Sequence, residues 1–427
     1  MKRIVASVGL VAVGISGASA YSPGLAGVDA SKTWSVSATL RGFYDDNYAY
    51  GYSNQQERES FGFNIAPSIQ FNLPLEQTYL GLRYLYSGKY FEDRSSDAWD
   101  HSHQIDLRFN HAFTERYSLD LENSFVVAQE PELLDNGVPY RTEGDNIRNR
   151  ARLLGSAQLT RQLGLQLGYN NVYWNYDHDQ ITRVGGQFQR ASLSGLLDRV
   201  EHLIISNLRW QALPETTALI GYNLGITRYV GDQQIAWLNP SLSTGPVFSE
   251  DRDNISHYIY AGVNHAFLRN ASASLKLGAT HIDYDNDRVN QDSWIPYVDV
   301  SASYGYARGG NVQIGFVHSF YPTDVVAPFG GRITGSQESS TVYGLISHQV
   351  TPKLVAIGNI RYQDSTFDGG LYGDQGDQFF SAGINLTYQI NRFLSCEAGY
   401  NFDRLNSDIP GRSYDRNRVY IGVTATY

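Results

Sequence analysis

The chain has 427 residues, with 33 Lys and Arg against 43 Asp and Glu, a formal net charge of −10. That acidic balance excludes the basic footprint of a nucleic-acid binder. A single cysteine, Cys396, excludes an intrachain disulfide, and no apolar run long enough for a transmembrane helix follows the first 20 residues.

Residues 1–20 begin with Lys2 and Arg3. An apolar stretch from Ile4 to Ile15 follows, and Ala18-Ser19-Ala20 closes the segment. That order is a secretory signal peptide with an A-x-A cleavage site. Tyr21 rather than Cys follows, so no lipoprotein anchor is expected. Residues 21–33 read as a short periplasmic segment, and residues 34–427 as one β-domain without a linker.

The first strand pattern is WSVSATLRG, residues 34–42, with Trp34, Val36, Ala38 and Leu40 on one face. FGFNIAPSIQFNL, residues 61–73, repeats it: Phe61, Phe63, Ile65, Ile69 and Phe71 lie opposite Asn64, Ser68, Gln70 and Asn72. One face is too apolar for water and the other is polar, as in a strand with lipid outside and water inside.

Short polar joints then recur at 74–77, 114–117, 160–162, 214–217, 269–272, 307–311, 351–353 and 391–392. Between them lie longer charged segments, near 45–59, 88–102, 129–148, 177–200, 230–253, 285–293, 320–338, 364–377 and 403–416. Nine long and eight short connections in strict alternation predict eighteen antiparallel strands. They form an all-β, up-and-down transmembrane barrel in the bacterial outer membrane, with both termini periplasmic. The segments 177–200 and 230–253 are the candidates for folding into the lumen. The word Asn-His-Ala-Phe occurs twice before a short joint, at 110–113 and 264–267.

The chain closes on RNRVYIGVTATY, residues 416–427. Val419, Ile421, Val423, Ala425 and Tyr427 share the apolar face of a strand that must pair with the first one to remove both sheet edges. A closing strand of this pattern is the expected signal to the barrel assembly machinery.

Period two assigns the lumen face. Its basic residues are Arg41, Arg83, Arg108, Arg150, Arg152, Arg209, Lys276, Arg361, Arg416 and Arg418; its acids are Asp106, Asp120, Glu122, Asp299 and Glu397. Ten bases against five acids predict a net basic lumen. Tyr44, Tyr84, Tyr86, Tyr169, Tyr173, Trp174, Tyr222, Tyr229, Tyr304 and Tyr306 are expected in girdles at the membrane surface.

The ten histidines are dispersed and no catalytic motif is present. Asp283, Asp285 and Asp287 begin like a calcium loop, but Arg288 stands where glycine is needed. No catalytic residue, cofactor or metal is expected.

FYDDNYAY (43–50), NSFVVAQEPELLDNGVPYR (123–141) and LLDRVEH (196–202) resemble recurring words of the putative β-barrel porin type 2 family. The resemblance implies an outer-membrane barrel, and for some members an association with exopolysaccharide export. Four readings stand: passage of small hydrophilic solutes, a barrel partner of polysaccharide export, a barrel enzyme, and a structural envelope barrel. The partners expected are outer-membrane lipid, the assembly machinery and, for the second reading, a polysaccharide or its export components.

Overall fold

The structure is a computed structural model. It describes residues 32–48, 58–95, 97–129, 134–135, 138–139, 145–177, 179, 181–184, 187–238, 245–286, 292–326, 329–330 and 333–427. The signal peptide and nearly all of residues 21–33 lie outside the described residues, as does the end of the Asp283–Asp287 run.

Eighteen long strands form one sheet. The first nine are β1 (Trp34–Asp45), β2 (Ser60–Pro74), β3 (Thr78–Phe91), β4 (Trp99–Ala112), β5 (Tyr117–Ala128), β6 (Asn146–Gln158), β7 (Leu163–Tyr176), β8 (Arg199–Leu213) and β9 (Thr216–Tyr229). The rest are β10 (Asn254–Leu268), β11 (Ala271–Tyr284), β12 (Ser293–Ala307), β13 (Gly310–Pro322), β14 (Ser336–Thr351), β15 (Leu354–Asp368), β16 (Gly376–Asn391), β17 (Leu394–Ser407) and β18 (Tyr414–Thr426). Each pairs antiparallel with the next. β18 returns to β1, from Ser37 opposite Thr426 to Asp45 opposite Arg418. The barrel is closed, so every strand has two neighbours and the sheet has no edge.

The short joints hold themselves by local side-chain chemistry. Thr160 Oγ1 accepts from the backbone N–H of Gln162 and Leu163, at 3.2 and 3.0 Å, and Thr351 Oγ1 does the same for Lys353 and Leu354. Asn391 Oδ1 serves Phe393 and Leu394 at 2.8 and 3.1 Å. These hydroxyl and amide turns occupy donors that a two-residue reversal leaves over. At Gly309, φ of +75° requires glycine.

The Asn-His-Ala-Phe repeat marks the same end of the barrel. His111 Nδ1 meets Thr78 Oγ1 at 2.7 Å, and His265 Nδ1 meets Thr216 Oγ1 at 2.8 Å, in each case across to the neighbouring strand. Phe113 and Phe267 stand edge-on to those imidazoles.

The outer face is apolar. Leu40, Ile69, Ile220, Ile259, Ile314, Ile360 and Ile421 are all exposed on it. No helix among the described residues is long and apolar enough to cross a membrane. A closed barrel with a water-excluding outer belt crosses with its strands instead.

Several strands outrun the expected limits. β3 and β4 leave only residues 92–98 between them, and β17 and β18 only 408–413. The upper ends of these strands read as loops because charged residues such as Lys89, Asp100, Arg404 and Asp415 interrupt their pattern. They continue the backbone ladder above the apolar belt.

Candidate permeation site

The lumen is crossed by its own long connections. Between β7 and β8 the chain forms α1 (Leu193–Leu197), whose five residues are all buried. Ser192 Oγ caps it by accepting from Gly195 N at 3.0 Å. Between β9 and β10 runs an inner strand, Gln234–Leu238. It pairs antiparallel with Pro246–Phe248 and parallel with Phe329–Gly330, which comes from the β13–β14 connection. Leu193, Leu196, Leu197, Ile235, Ala236, Val247 and Ile333 pack with Trp174 and Tyr176 of β7 in one buried cluster. Three connections thus share one small apolar core on the inner wall.

Arg252 ties this core together. It is fully buried. Its Nη2 donates to the carbonyls of Leu196 and Gly195 at 2.5 and 3.2 Å, and its Nη1 to Thr323 O at 3.3 Å. Its guanidinium carbon lies 4.0 Å from the centroid of the Tyr229 ring. On the far side, Arg412 of the β17–β18 connection donates Nη1 and Nη2 to the two Asp324 oxygens at 2.9 and 2.8 Å, and Nε to Asp377 Oδ2 at 2.8 Å. Trp174 on β7 and Asp377 on β16 stand nine places apart in a ring of eighteen strands. The linked side chains therefore run between opposite walls.

A buried acid, Asp198, and a half-buried one, Asp253, anchor the layer where it leaves the wall. Asp198 Oδ1 accepts from Tyr176 N at 2.7 Å, and its Oδ2 from Asn175 Nδ2 at 3.2 Å. Burial pushes its carboxyl up to about 7, against the pull of the Tyr176 N–H and with added repulsion from Asp179. Asp253 repeats the contact, accepting from Tyr229 N at 2.8 Å, and burial raises its carboxyl too.

The wall charges are mostly paired. Arg41 donates Nε to Glu397 at 3.0 Å, Arg83 Nε to Asp106 at 2.8 Å, and Lys276 Nζ to Asp299 at 2.7 Å. Arg108 lies 3.6 Å from Glu122, and Asn110 bonds Asp120. Arg361 donates to Gln363 Oε1 at 3.1 Å. Arg416 pairs with Asp45, and Arg418 with Asp403. Phase and pairing place Asp45, Asp100, Glu201, Asp377 and Asp403 on the inner faces as well. The expected two-to-one excess of bases therefore does not describe the wall. Asp45, Asp100, Asp377 and Asp403 sit at strand ends that read as loops, and Glu201 stands one residue past such a segment.

One inner region differs. Arg108 on β4, Arg152 on β6 and Arg209 on β8 face the lumen on the short-joint side of Trp174. Arg108 is 63% exposed. Between β6 and β8, the inner face of β7 carries Gly164, Gln166, Gly168 and Asn170, with Arg209 opposite Gly164 and Arg152 opposite Asn170. Higher on β6, Arg148 and Arg150 lie 5.4 and 5.6 Å from the Trp174 ring centroid.

Tyr84, Tyr169, Tyr222, Tyr304 and Tyr306 stand exposed on the outer face, as the girdle expectation has it. Trp174 and Tyr229 do not: they are buried and point inward. Trp174 follows Tyr173 by one residue, and one step along a strand reverses the face. Tyr84, Tyr86, Tyr169 and Tyr222 each hold a histidine Nδ1, on His103, His101, His202 and His257. His101 and His103 are thus engaged with phenols. Among the described residues no group of three or more His, Cys, Asp or Glu is placed to hold a metal.

The closing strand meets the first as a network. Tyr427 N donates to Val36 O at 2.8 Å, and its ring lies between Trp34 and Phe393 at 5.6 and 6.5 Å between centroids. Val419, Ile421 and Val423 are exposed on the outer face of this seam. On the inner face, the buried pairs Arg41–Glu397, Arg416–Asp45 and Arg418–Asp403 link β1, β17 and β18.

Sequence reasoning missed Trp174, Arg252, Arg412, Asp324 and Asp198 as site residues. A signal was present for the layer: LSGLL at 193–197 and QIAWL at 234–238 are apolar words inside connections too polar to need them.

A closed eighteen-stranded barrel with an apolar outer belt and a charged inner wall defines a channel-like protein of the bacterial outer membrane. Residues 331–427 match the family model described as putative beta-barrel porin 2, the family that the sequence resembles. The match covers β14 to β18, whereas the resembling words lie nearer the N-terminus. No curated protein matches the chain. Among solved structures, OccAB4 of Acinetobacter baumannii is 11% identical, covering 93% of this chain and 99% of its own, with a TM-score of 0.44. A BenF-like porin from Pseudomonas fluorescens Pf-5 is 10% identical over 93% and 99%, at 0.45. The ferric enterobactin receptor PfeA of Pseudomonas aeruginosa is 11% identical over 92% and 80%, also at 0.45.

Proposed function

We propose that the protein is a passage for small hydrophilic solutes that prefers anions, with its short joints and both termini in the periplasm. A barrel of sixteen to eighteen strands leaves an aqueous lumen unless loops enter it. Here loops do enter, and a solute must pass the layer built on Trp174, Arg252 and Arg412. The observation that carries the anion preference is the group Arg108, Arg152 and Arg209 on the inner faces of β4, β6 and β8, where Arg108 is exposed, Arg152 and Arg209 are half-buried, and the acid between them, Glu122, lies 3.6 Å from Arg108. Paired charges elsewhere on the wall largely cancel at a distance. An ion in the narrow lumen feels the nearby guanidiniums, while charges farther than about 8–10 Å are screened by salt.

Planar-bilayer recordings in a salt gradient test this reading. The reversal potential is expected to show anion preference. Arg152→Glu with Arg209→Glu should move it toward cations. A cation-selective wild type, or an unchanged potential in the double variant, overturns the proposal.

A further inference from the structure

We propose that the loop layer is a gate that acid holds shut and that neutral to alkaline pH releases, with Asp198 as the group that reads the pH. The proposal rests on the reading of the barrel as a passage and names how that passage is controlled.

The geometry makes Asp198 the joint between wall and layer. Its carboxylate holds the last backbone N–H of β7 and the Asn175 amide, while its own N–H donates to Ser194 O, closing α1. Val230 N donates to Asp198 O, joining the end of β9 to the same residue. If Asp198 leaves its place, α1 loses its C-terminal cap. Leu193, Leu196 and Leu197 then lose their hold on Trp174. Arg252 binds the carbonyls of Gly195 and Leu196, so its grip on the Thr323 segment goes with α1.

The charged groups around Asp198 decide the sign. Asp179, on the segment leaving β7, repels a second negative charge. Arg199, the next residue, attracts it, but Arg199 already donates Nε to Glu201 Oε1 at 2.6 Å and Nη1 to Leu197 O at 3.1 Å. Arg252 directs its donors at carbonyls. Burial and Asp179 prevail, and the carboxyl ionises only near pH 7. A released Asp198 in water would ionise near its ordinary value of 3.8. A group whose packed-state value is raised stabilises packing fully below the free value, and that contribution falls away as pH rises to the packed value. The layer is therefore held most firmly below about pH 4, loosens up to about pH 7 and changes little above. Asp253 adds in the same direction: it holds Tyr229 N, and burial with Asp285 and Glu250 outweighs the N–H and Arg228.

Two readouts on the full-length barrel separate this proposal from the reading it rests on. Hydrogen-exchange protection of the Leu196 and Tyr176 amides reports the layer, whether or not ions pass. It should fall by about tenfold or more between pH 5 and pH 8, because below about pH 7 each rise of one in pH weakens the packing equilibrium by up to a factor of about ten. Conductance should rise over the same interval. Asp198→Asn keeps an acceptor for Tyr176 N but cannot ionise, so protection at pH 8 should stay near the acid value and conductance should stay low. Asp179→Asn removes the repelling charge and lowers the packed-state value, so protection should level off at a more acid pH and stay higher at pH 8, with lower conductance there; it keeps the test decisive where Asp198→Asn does not fold. Protection independent of pH in the wild type overturns the gate. An unaltered pH profile in both variants overturns Asp198 as its sensor. Protection that falls with pH while no current flows at any pH upholds the loop release and overturns the passage reading.

Discussion

Replacing Arg252 with alanine should open the lumen without weakening the barrel. The side chain makes three hydrogen bonds to carbonyls from a buried guanidinium and covers the Tyr229 ring. A hydrogen bond to a charged group contributes about 1.5–3 kcal/mol, but bonds sharing one side chain do not add. We take about 3–5 kcal/mol for the loss, the range for breaking a buried charged contact on one side. At about 1.4 kcal/mol per power of ten, the ratio of closed to released layer falls by about two to four decades. Arg252 lies before β10 and outside its backbone ladder, so the wall keeps its hydrogen bonds. Single-channel conductance should rise and Leu196 protection should drop, while the temperature of heat modification on gels stays unchanged. Arg252→Lys should fall between, because one ammonium cannot span carbonyls on two connections. Unchanged conductance and protection in Arg252→Ala would refute the role of this hub.

Two further outcomes concern the seam. Arg416→Ala leaves the buried Asp45 carboxylate without its guanidinium and should cost about 3–5 kcal/mol, seen as a lower heat-modification temperature; an unshifted temperature would show that the pair does not hold β18 to β1. Tyr427→Asp places a carboxylate between Trp34 and Phe393 and should reduce the amount of folded barrel recovered from membranes. Recovery at the wild-type level would remove the terminal ring from the assembly signal.

The barrel itself was legible in the chain because its constraints are local. Alternation at WSVSATLRG and FGFNIAPSIQFNL reports a face toward lipid, and a lipid face permits only closed sheets or helices. Joints such as TRQ and TPK carry their own turn chemistry in Thr160 and Thr351. Strand number, order and the need for β18 to meet β1 follow from these features alone.

What lies inside the barrel was not legible to the same degree. Trp174 and Tyr173 are neighbours of similar type, and only the wall's phase decides that one meets the layer and the other the membrane side. Asp45 and Arg416 are 371 residues apart, and Arg412 and Asp324 are 88 apart. No periodicity relates such pairs, because they meet only after the ring has closed and the connections have folded across it. That the connections holding α1 and Gln234–Leu238 enter the lumen was foreseeable from their length and apolar words. That they converge on one arginine depends on where opposite walls of a closed ring bring their loops.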